Sequence, residues 1–217
     1  MRYFANRQEA GKMIAENLKD YATENCVVVS LNEGGVVIGL EIAKRLHTAV
    51  FLLVMEDVEL PGEQKPIATM SSAGTFTYNN EYSMGELEVL NADYRSIIEE
   101  KRLLAFHKLN RVGDEESDIP KKLLKNHTII IVSDGLRNGL SLDVAADFLK
   151  PIKTRKIIIA TPVASVPAVD RMHLLGDDIC CLSVVESYID TDHYYQDNVL
   201  PDHKEIVETM QNIVLNW

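Results

Sequence analysis

The residues best equipped for chemistry stand in two short turns. Ser133-Asp134-Gly135-Leu136-Arg137-Asn138-Gly139-Leu140-Ser141 follows the apolar run Thr128–Val132. Gly135 and Gly139 permit tight or positive-φ backbone and let amides approach an anion closely. A helix starting there would add unpaired N–H groups and the positive end of its dipole. Asn138 and Ser141 are short donors, and Arg137 carries a charge. Asp134 could accept from sugar hydroxyls or hold a metal through water. These are the parts of a phosphate cradle, and the same residue types also cap helices. Spacing alone leaves both readings open. The second turn, Leu31-Asn32-Glu33-Gly34-Gly35, follows the apolar run Cys26–Leu31 and is the same kind of junction.

Such turns bind ligands when they lie at the carboxyl ends of strands in an open α/β sheet. The surrounding pattern predicts that arrangement. Ala10, Met13, Ile14, Leu18 and Tyr21 make a helical stripe over 7–21. Cys26–Leu31 and Thr128–Val132 are β-branched runs without polar alternation, as in strands covered on both faces. Val36–Leu46, Ser141–Leu149, 165–175 and Lys204–Val214 read as helices; 49–54, 156–160 and 180–185 read as further strands. The alternation implies right-handed βαβ units and a doubly wound, mostly parallel sheet. Between them, residues 56–111 change rhythm: a Leu60-Pro61-Gly62 turn, a small hairpin around Ser72-Ala73-Gly74, and one longer exposed helix over 92–111. Gly113–Lys122 reads as a charged loop. One domain over 1–217, with 56–111 inserted in it, suits this length.

Composition narrows the classes. With 46% hydrophobic and 25% charged residues the chain is an ordinary globular protein, not a disordered or coiled-coil one. A net charge of −11 without a basic run argues against nucleic acid and anionic membrane as partners. No apolar stretch nears the roughly 18 residues of a membrane span. The opening MRYFANRQEAGK is too polar for a signal peptide, and three cysteines, Cys180 and Cys181 adjacent, make neither a disulfide framework nor a CxxC metal motif. The expectation is a reduced, cytoplasmic protein. No GxxxxGK[ST], GxGxxG or GxSxG is present, which sets aside P-loop, dinucleotide-binding and α/β-hydrolase sites.

TIIIVSDGLRNGLS resembles the signature of type I phosphoribosyltransferases, in which apolar residues precede two acids and a Gly-Leu-Ala-Thr-Gly-Ala-Thr-like loop. RYFANRQEAGKMIAENL is similar to the family's opening helix, VVVSLNEGGVVIGLEIAKRL to its pyrophosphate-loop unit, and KIIIATPVAS to the strand after the signature. The tail around Tyr194-Tyr195 and Lys204–Met210 resembles the closing hood segment, so the likeness covers nearly the whole chain. It is nearest to a bacterial branch known only as predicted phosphoribosyltransferases. The resemblance implies a Rossmann-like fold and a pentosyl transferase of nucleotide metabolism using 5-phosphoribosyl 1-pyrophosphate with Mg²⁺. It also implies that Arg137–Ser141 bind the 5-phosphate. Ser133 and Asp134 would meet the ribose hydroxyls, with Asp134 catalytic and touching metal indirectly. Glu33, Gly34 and Gly35 would face pyrophosphate, and 56–90 would be a mobile closing loop. A homodimer is a further implied possibility.

Three residues depart from the family pattern. Ser133 replaces one signature acid, Asn138 replaces a loop threonine, and Glu33 stands where the branch usually has arginine. At 4 Å and an effective dielectric near 20, unit charges interact by about 4 kcal/mol, so exchanging attraction for repulsion costs several kcal/mol of pyrophosphate binding. Two functions therefore compete: a transferase acting on a nitrogenous acceptor, and a catalytically silent nucleotide or sugar-phosphate binding module of the same fold. Weaker signals are Asp190-Thr191-Asp192-His193 with Asp197 and His203 as a metal cluster, Arg95 and Arg102 as an anion contact, and Tyr194-Tyr195 as a base platform. Each has a plain counterpart as an acidic surface loop, a solvated helix face or hood packing.

Overall fold

The computed structural model of the protein describes residues 2–112 and 119–215. The chain opens with α1 (Arg7–Asn17), β1 (Cys26–Ser30), α2 (Glu33–Leu46) and β2 (Val50–Leu52). A separate unit follows: β3 (Met55–Val58), β4 (Ala68–Ser71), β5 (Phe76–Tyr78), α3 (Met84–Asp93) and α4 (Arg95–Val112). After the short α5 (Lys121–Leu124) come β6 (Thr128–Val132), α6 (Leu140–Leu149), β7 (Lys156–Ser165), α7 (Val166–Leu175), β8 (Asp178–Val185) and α8 (His203–Leu215).

Five strands form one parallel sheet in the order β2-β1-β6-β7-β8. Their β-branched side chains alternate between two cores. Val28, Ile130 and Ile158 pack against Ile14 of α1, Ile42 of α2 and Ile206 of α8. Val27, Val29, Ile129, Ile131 and Ile159 face Leu142 and Phe148 of α6 and Met172 of α7. Each fully buried Ile or Val contributes about 1.5–3 kcal/mol, which explains why β1 and β6 are apolar without alternation. The doubly wound parallel sheet is thus present, with strand ends at the two predicted turns.

The 56–111 segment is richer than a hairpin. β3, β4 and β5 make a three-stranded antiparallel sheet, with Glu56 opposite Met70 and Met70 opposite Phe76. Val58, Ile67, Ala68 and Met70 of this sheet pack on Ile98, Ala105 and Leu109 of α4, a small core of its own. The expected helix over 92–111 is present as α4, and a further helix that the sequence reading lacks, α3, precedes it, started by a capping box of Ser83 and Glu86. Of the predicted loop Gly113–Lys122, residues 113–118 lie outside the described residues, and Lys121 begins the single turn of α5 that buries Leu124.

One boundary matters for function. Asn32 accepts from the Gly35 N–H at 2.7 Å and caps α2, so Glu33, Gly34 and Gly35 form its first turn instead of the predicted loop before Val36.

Candidate functional site

The loop between β6 and α6 divides into two halves. In the first, Ser133 is buried and its hydroxyl donates to the Gly135 carbonyl at 2.9 Å. Asp134 points into the protein. Its Oδ2 accepts from Arg7 Nε at 2.7 Å, its Oδ1 accepts from Asn32 Nδ2 at 2.7 Å, and its backbone carbonyl accepts from the Tyr195 hydroxyl at 2.6 Å. The Arg7 and Asp134 side chains are only 5% and 6% exposed. Arg7 continues outward, donating from Nη2 to Asp192 at 2.5 Å and from Nη1 to Asn198 at 3.1 Å, with its guanidinium carbon 4.5 Å from the Tyr195 ring centroid. Burial lowers the Arg7 pKa, but its bonds to Asp134 and Asp192 outweigh that and raise it. Burial and the nearby Asp134 charge likewise raise the Tyr195 phenol, which stays a donor.

Gly34 and Gly35 press the α2 N-terminus onto this cluster. A Cβ at Gly34 would overlap the Asp134 carboxylate and lie 2.7 Å from Arg7 Nε, and one at Gly35 would lie 2.9 Å from the Val132 carbonyl. The glycines therefore serve close backbone packing against Asp134.

The second half of the loop is open. Leu136 is anchored, donating its N–H to Val163 and burying its side chain, so it is a pin rather than a contact surface. Beyond it the N–H groups of Arg137, Asn138, Gly139 and Ser141 take no partner among the described residues, while Leu140 N–H donates to Asn138 Oδ1 at 3.3 Å. The Arg171 stem lies across Gly139, where a Cβ would overlap it. Arg137, Asn138, Leu140 and Ser141 line a cavity of about 770 Å³ whose far wall carries Glu56, Asp57, Glu59 and Lys101. A second cavity of about 400 Å³, lined by Glu33, Gly34, Asp134 and His203, shares Leu31 and Met55 with it. Glu33 is half-exposed there, with Oε1 3.0 Å from His203 Nδ1.

The small unit is fastened onto the loop. Asn138 Nδ2 donates to Glu81 at 2.9 Å, Asn80 to Asp143 at 2.7 Å, and the Thr77 hydroxyl to Asp147 at 2.9 Å. Glu81 also meets Lys65 at 2.9 Å, and Lys65 with Asn138 holds its carboxyl below the usual range.

The structure thus brings Ser133–Ser141 and Glu33–Gly35 together at the carboxyl ends of β6 and β1, with Arg137, Asn138, Leu140 and Ser141 on one cavity and Glu33, Gly34 and Asp134 on the adjoining one. Arg7, which no local pattern marks, is the site residue that sequence reasoning misses. Asp192 is tied to Arg7, the His193 ring to the Tyr3 hydroxyl, and Asp190 to the His193 N–H. No group of three or more His, Cys, Asp or Glu side chains among the described residues could hold a metal. Tyr194 and Tyr195 are buried in the hood, and Arg102 lies over the Phe76 ring while its neighbour Lys101 reaches the cavity. With one donor on each oxygen and Gly34 pressed against it, Asp134 as it stands does not fit a Mg²⁺ ion.

The family model of the phosphoribosyl transferase domain matches residues 3–196. The chain belongs to the phosphoribosyl transferase family. Two Mycobacterium tuberculosis proteins, provisionally named phosphoribosyl transferases, are each 23% identical over 95% of the chain. The chain spans 46% of their length, so they are about twice its size. Among solved structures, the Thermus thermophilus protein TT1426 has a TM-score of 0.74 and 25% identity, covering 100% of this chain and 99% of its own. A Neisseria gonorrhoeae protein solved with bound ppGpp covers 99% of this chain and 95% of its own at a TM-score of 0.52. Its 8% identity makes that a likeness of fold alone. The family fold is therefore present over the full site, and among the described residues no helix is long and apolar enough to cross a membrane.

Proposed function

We propose that this chain binds a phosphorylated ribose, as the free sugar phosphate or within a nucleotide, with its phosphate on the loop Arg137–Ser141. One observation carries the reading: the unpartnered N–H groups of Arg137, Asn138, Gly139 and Ser141 at the start of α6, opening on a cavity lined by Arg137, Asn138 and Ser141. Backbone donors at a helix N-terminus suit a dianionic oxygen cluster, and the guanidinium of Arg137 adds charge. The sugar and anything attached to it would extend past Leu31 and Met55, which both cavities share. Binding, more than transfer, is what the side chains support, since a pyrophosphate held at the start of α2 would meet the Glu33 carboxylate and Asp134 is engaged by Arg7.

A second reading keeps ribosyl transfer to a nitrogenous acceptor, with Mg²⁺ brought in by a pyrophosphorylated donor. What favours it is room: about 770 Å³ continues from the phosphate loop to the wall of Glu56, Asp57 and Glu59, more than one sugar phosphate fills. Calorimetric titration with ribose 5-phosphate, a nucleoside monophosphate and 5-phosphoribosyl 1-pyrophosphate tests both. Saturable binding of the monophosphates, weakened by Arg137→Ala, supports the first. Release of pyrophosphate on adding a base supports the second. No binding of any of the three removes the phosphate site.

A further inference from the structure

The Arg7 guanidinium occupies Oδ2 of Asp134, the carboxylate to which the resemblance assigns the sugar hydroxyls and an indirect metal contact. Its three donor nitrogens are each used: Nε on Asp134, Nη1 on Asn198, Nη2 on Asp192. Asn32 closes the other Asp134 oxygen at 2.7 Å. A planar fork with this many acceptors is a built site, and a single-point ammonium could not reproduce it. Arg7 comes from α1, on the far side of the parallel sheet from the phosphate loop's own helix, so its arrival at Asp134 is a product of tertiary packing and not of the loop. The pair also cancels charge: Asp134 gains a fixed positive partner, while Glu33 adds a negative charge beside the same crevice.

We infer that Arg7 is a built-in replacement for the divalent cation at the signature acid, so that the site takes phosphate monoesters without metal and disfavours pyrophosphorylated ligands. The inference rests on the phosphate-loop reading above and narrows it. Mg²⁺ binds through one or two carboxylates together with substrate phosphates. Here the carboxylate that would take part is already neutralised by a side chain of the same chain. A pyrophosphate would then face Glu33 with no metal to screen it, whereas a monoester phosphate at Arg137–Ser141 is served by N–H groups and needs none.

The unaltered chain tests this first. Ribose 5-phosphate titrated in EDTA and in excess Mg²⁺ should give dissociation constants within about twofold of each other, and 5-phosphoribosyl 1-pyrophosphate in Mg²⁺ should bind at least tenfold more weakly. Binding that vanishes in EDTA, or a pyrophosphorylated donor that binds more tightly, overturns the inference while leaving the phosphate site standing. Absence of ribose 5-phosphate binding in both buffers removes the phosphate site, and the inference with it. A second measurement needs no organic ligand: Mn²⁺ as a probe, followed by loss of its free paramagnetic signal. Arg7→Met should create a Mn²⁺ site that Arg7→Met/Asp134→Asn lacks, and wild type should bind no Mn²⁺ that Asp134→Asn removes. A wild-type Mn²⁺ site dependent on Asp134, or a folded Arg7→Met without a new one, counts against the replacement. The EDTA comparison uses no variant, so it decides the matter even where Arg7→Met fails to fold.

Discussion

Asp134 and Ser141 both follow β6, seven residues apart across the loop and the first turn of α6, and their surroundings are opposite. Asp134 has both carboxylate oxygens bonded by side chains from α1 and the start of α2, and its carbonyl by Tyr195. The N–H groups of Arg137, Asn138, Gly139 and Ser141 are free of partners among the described residues, and the neighbouring space is a cavity. Buried charge requires partners, so the closed half is a structural joint whose removal should unfold or loosen the protein. The open half leaves donors unsatisfied by the fold, and such groups are available for a ligand. A family signature is therefore two separable devices here, and mutations in the two halves should report on different quantities.

The sharpest way to break this contrast is Arg7→Ala. It strands Asp134 as an uncompensated buried carboxylate, a change that costs about 3–5 kcal/mol in comparable sites. Urea denaturation should show that loss, and Arg7→Ala/Asp134→Asn should cost less than the two single losses added, because the members of a contacting pair are not independent. A cost below about 1 kcal/mol for Arg7→Ala would mean that Asp134 is not held as described. Next in size is Gly34→Ala. The added methyl overlaps the Asp134 carboxylate, and overpacking of this kind costs about 1–3 kcal/mol. Gly85→Ala is its control: nothing lies within 4 Å of a Cβ there, so the substitution in α3 should be neutral or gain up to about 1 kcal/mol from helix propensity. A Gly34→Ala variant as neutral as Gly85→Ala would count against the tight contact with Asp134, since backbone entropy alone favours alanine at both positions.

In the open half the readout changes from stability to affinity. Asn138→Ala should leave unfolding within about 0.5 kcal/mol of wild type, as exposed polar substitutions do. It should weaken ribose 5-phosphate binding by roughly fivefold, the equivalent of one net hydrogen bond of about 1 kcal/mol. A large stability loss with unchanged affinity would reverse the assignment of the two halves.

The difference between the halves also explains what is legible in the sequence. Cys26–Ser30 and Thr128–Val132 declare themselves as buried strands because burial on both faces demands unbroken β-branched runs, and the turns after them follow from chain order. The phosphate loop is visible for a related reason: Gly135, Asn138, Gly139 and Ser141 fall within one short stretch. Arg7 is not visible. It sits in a polar stretch with no motif, and its partner Asp134 is 127 positions away, so only the packing of α1 on the sheet unites them. β3 escapes for a different reason: Met55-Glu56-Asp57-Val58 puts two consecutive acids in a short strand beside a cavity, where β propensity and hydrophobic alternation give no signal. The start of α2 is hidden because Gly34 and Gly35 disfavour helix in isolation, while Asn32 capping and contact with Asp134 override that preference.

The smallest expected effect concerns Glu81, the strap that ties the small antiparallel unit to Asn138 of the open half. Its carboxyl is held below its ordinary 4.5, first by Lys65 and then by Asn138 and Arg137. A lowered folded-state value means the folded protein prefers the charged form. The strap therefore adds stability above the unfolded carboxylate's pKa and loses it as pH falls through the lowered one. Between about pH 7 and 5 the tie should be constant, and proteolysis of residues 79–82 should accelerate only as pH drops below about 4.5. Glu81 is partly exposed, so solvent screening keeps the effect under about 1 kcal/mol. Glu81→Gln should flatten that acid dependence, and it should also strengthen phosphate binding slightly by removing an anion from Asn138. Acid-accelerated cleavage that persists in Glu81→Gln would assign the pH response to carboxylates other than Glu81 and Asp143. Burial raises the Asp143 pKa against the pull of Arg171, so its protonation relieves strain as pH falls and cannot loosen the same strap in the same direction.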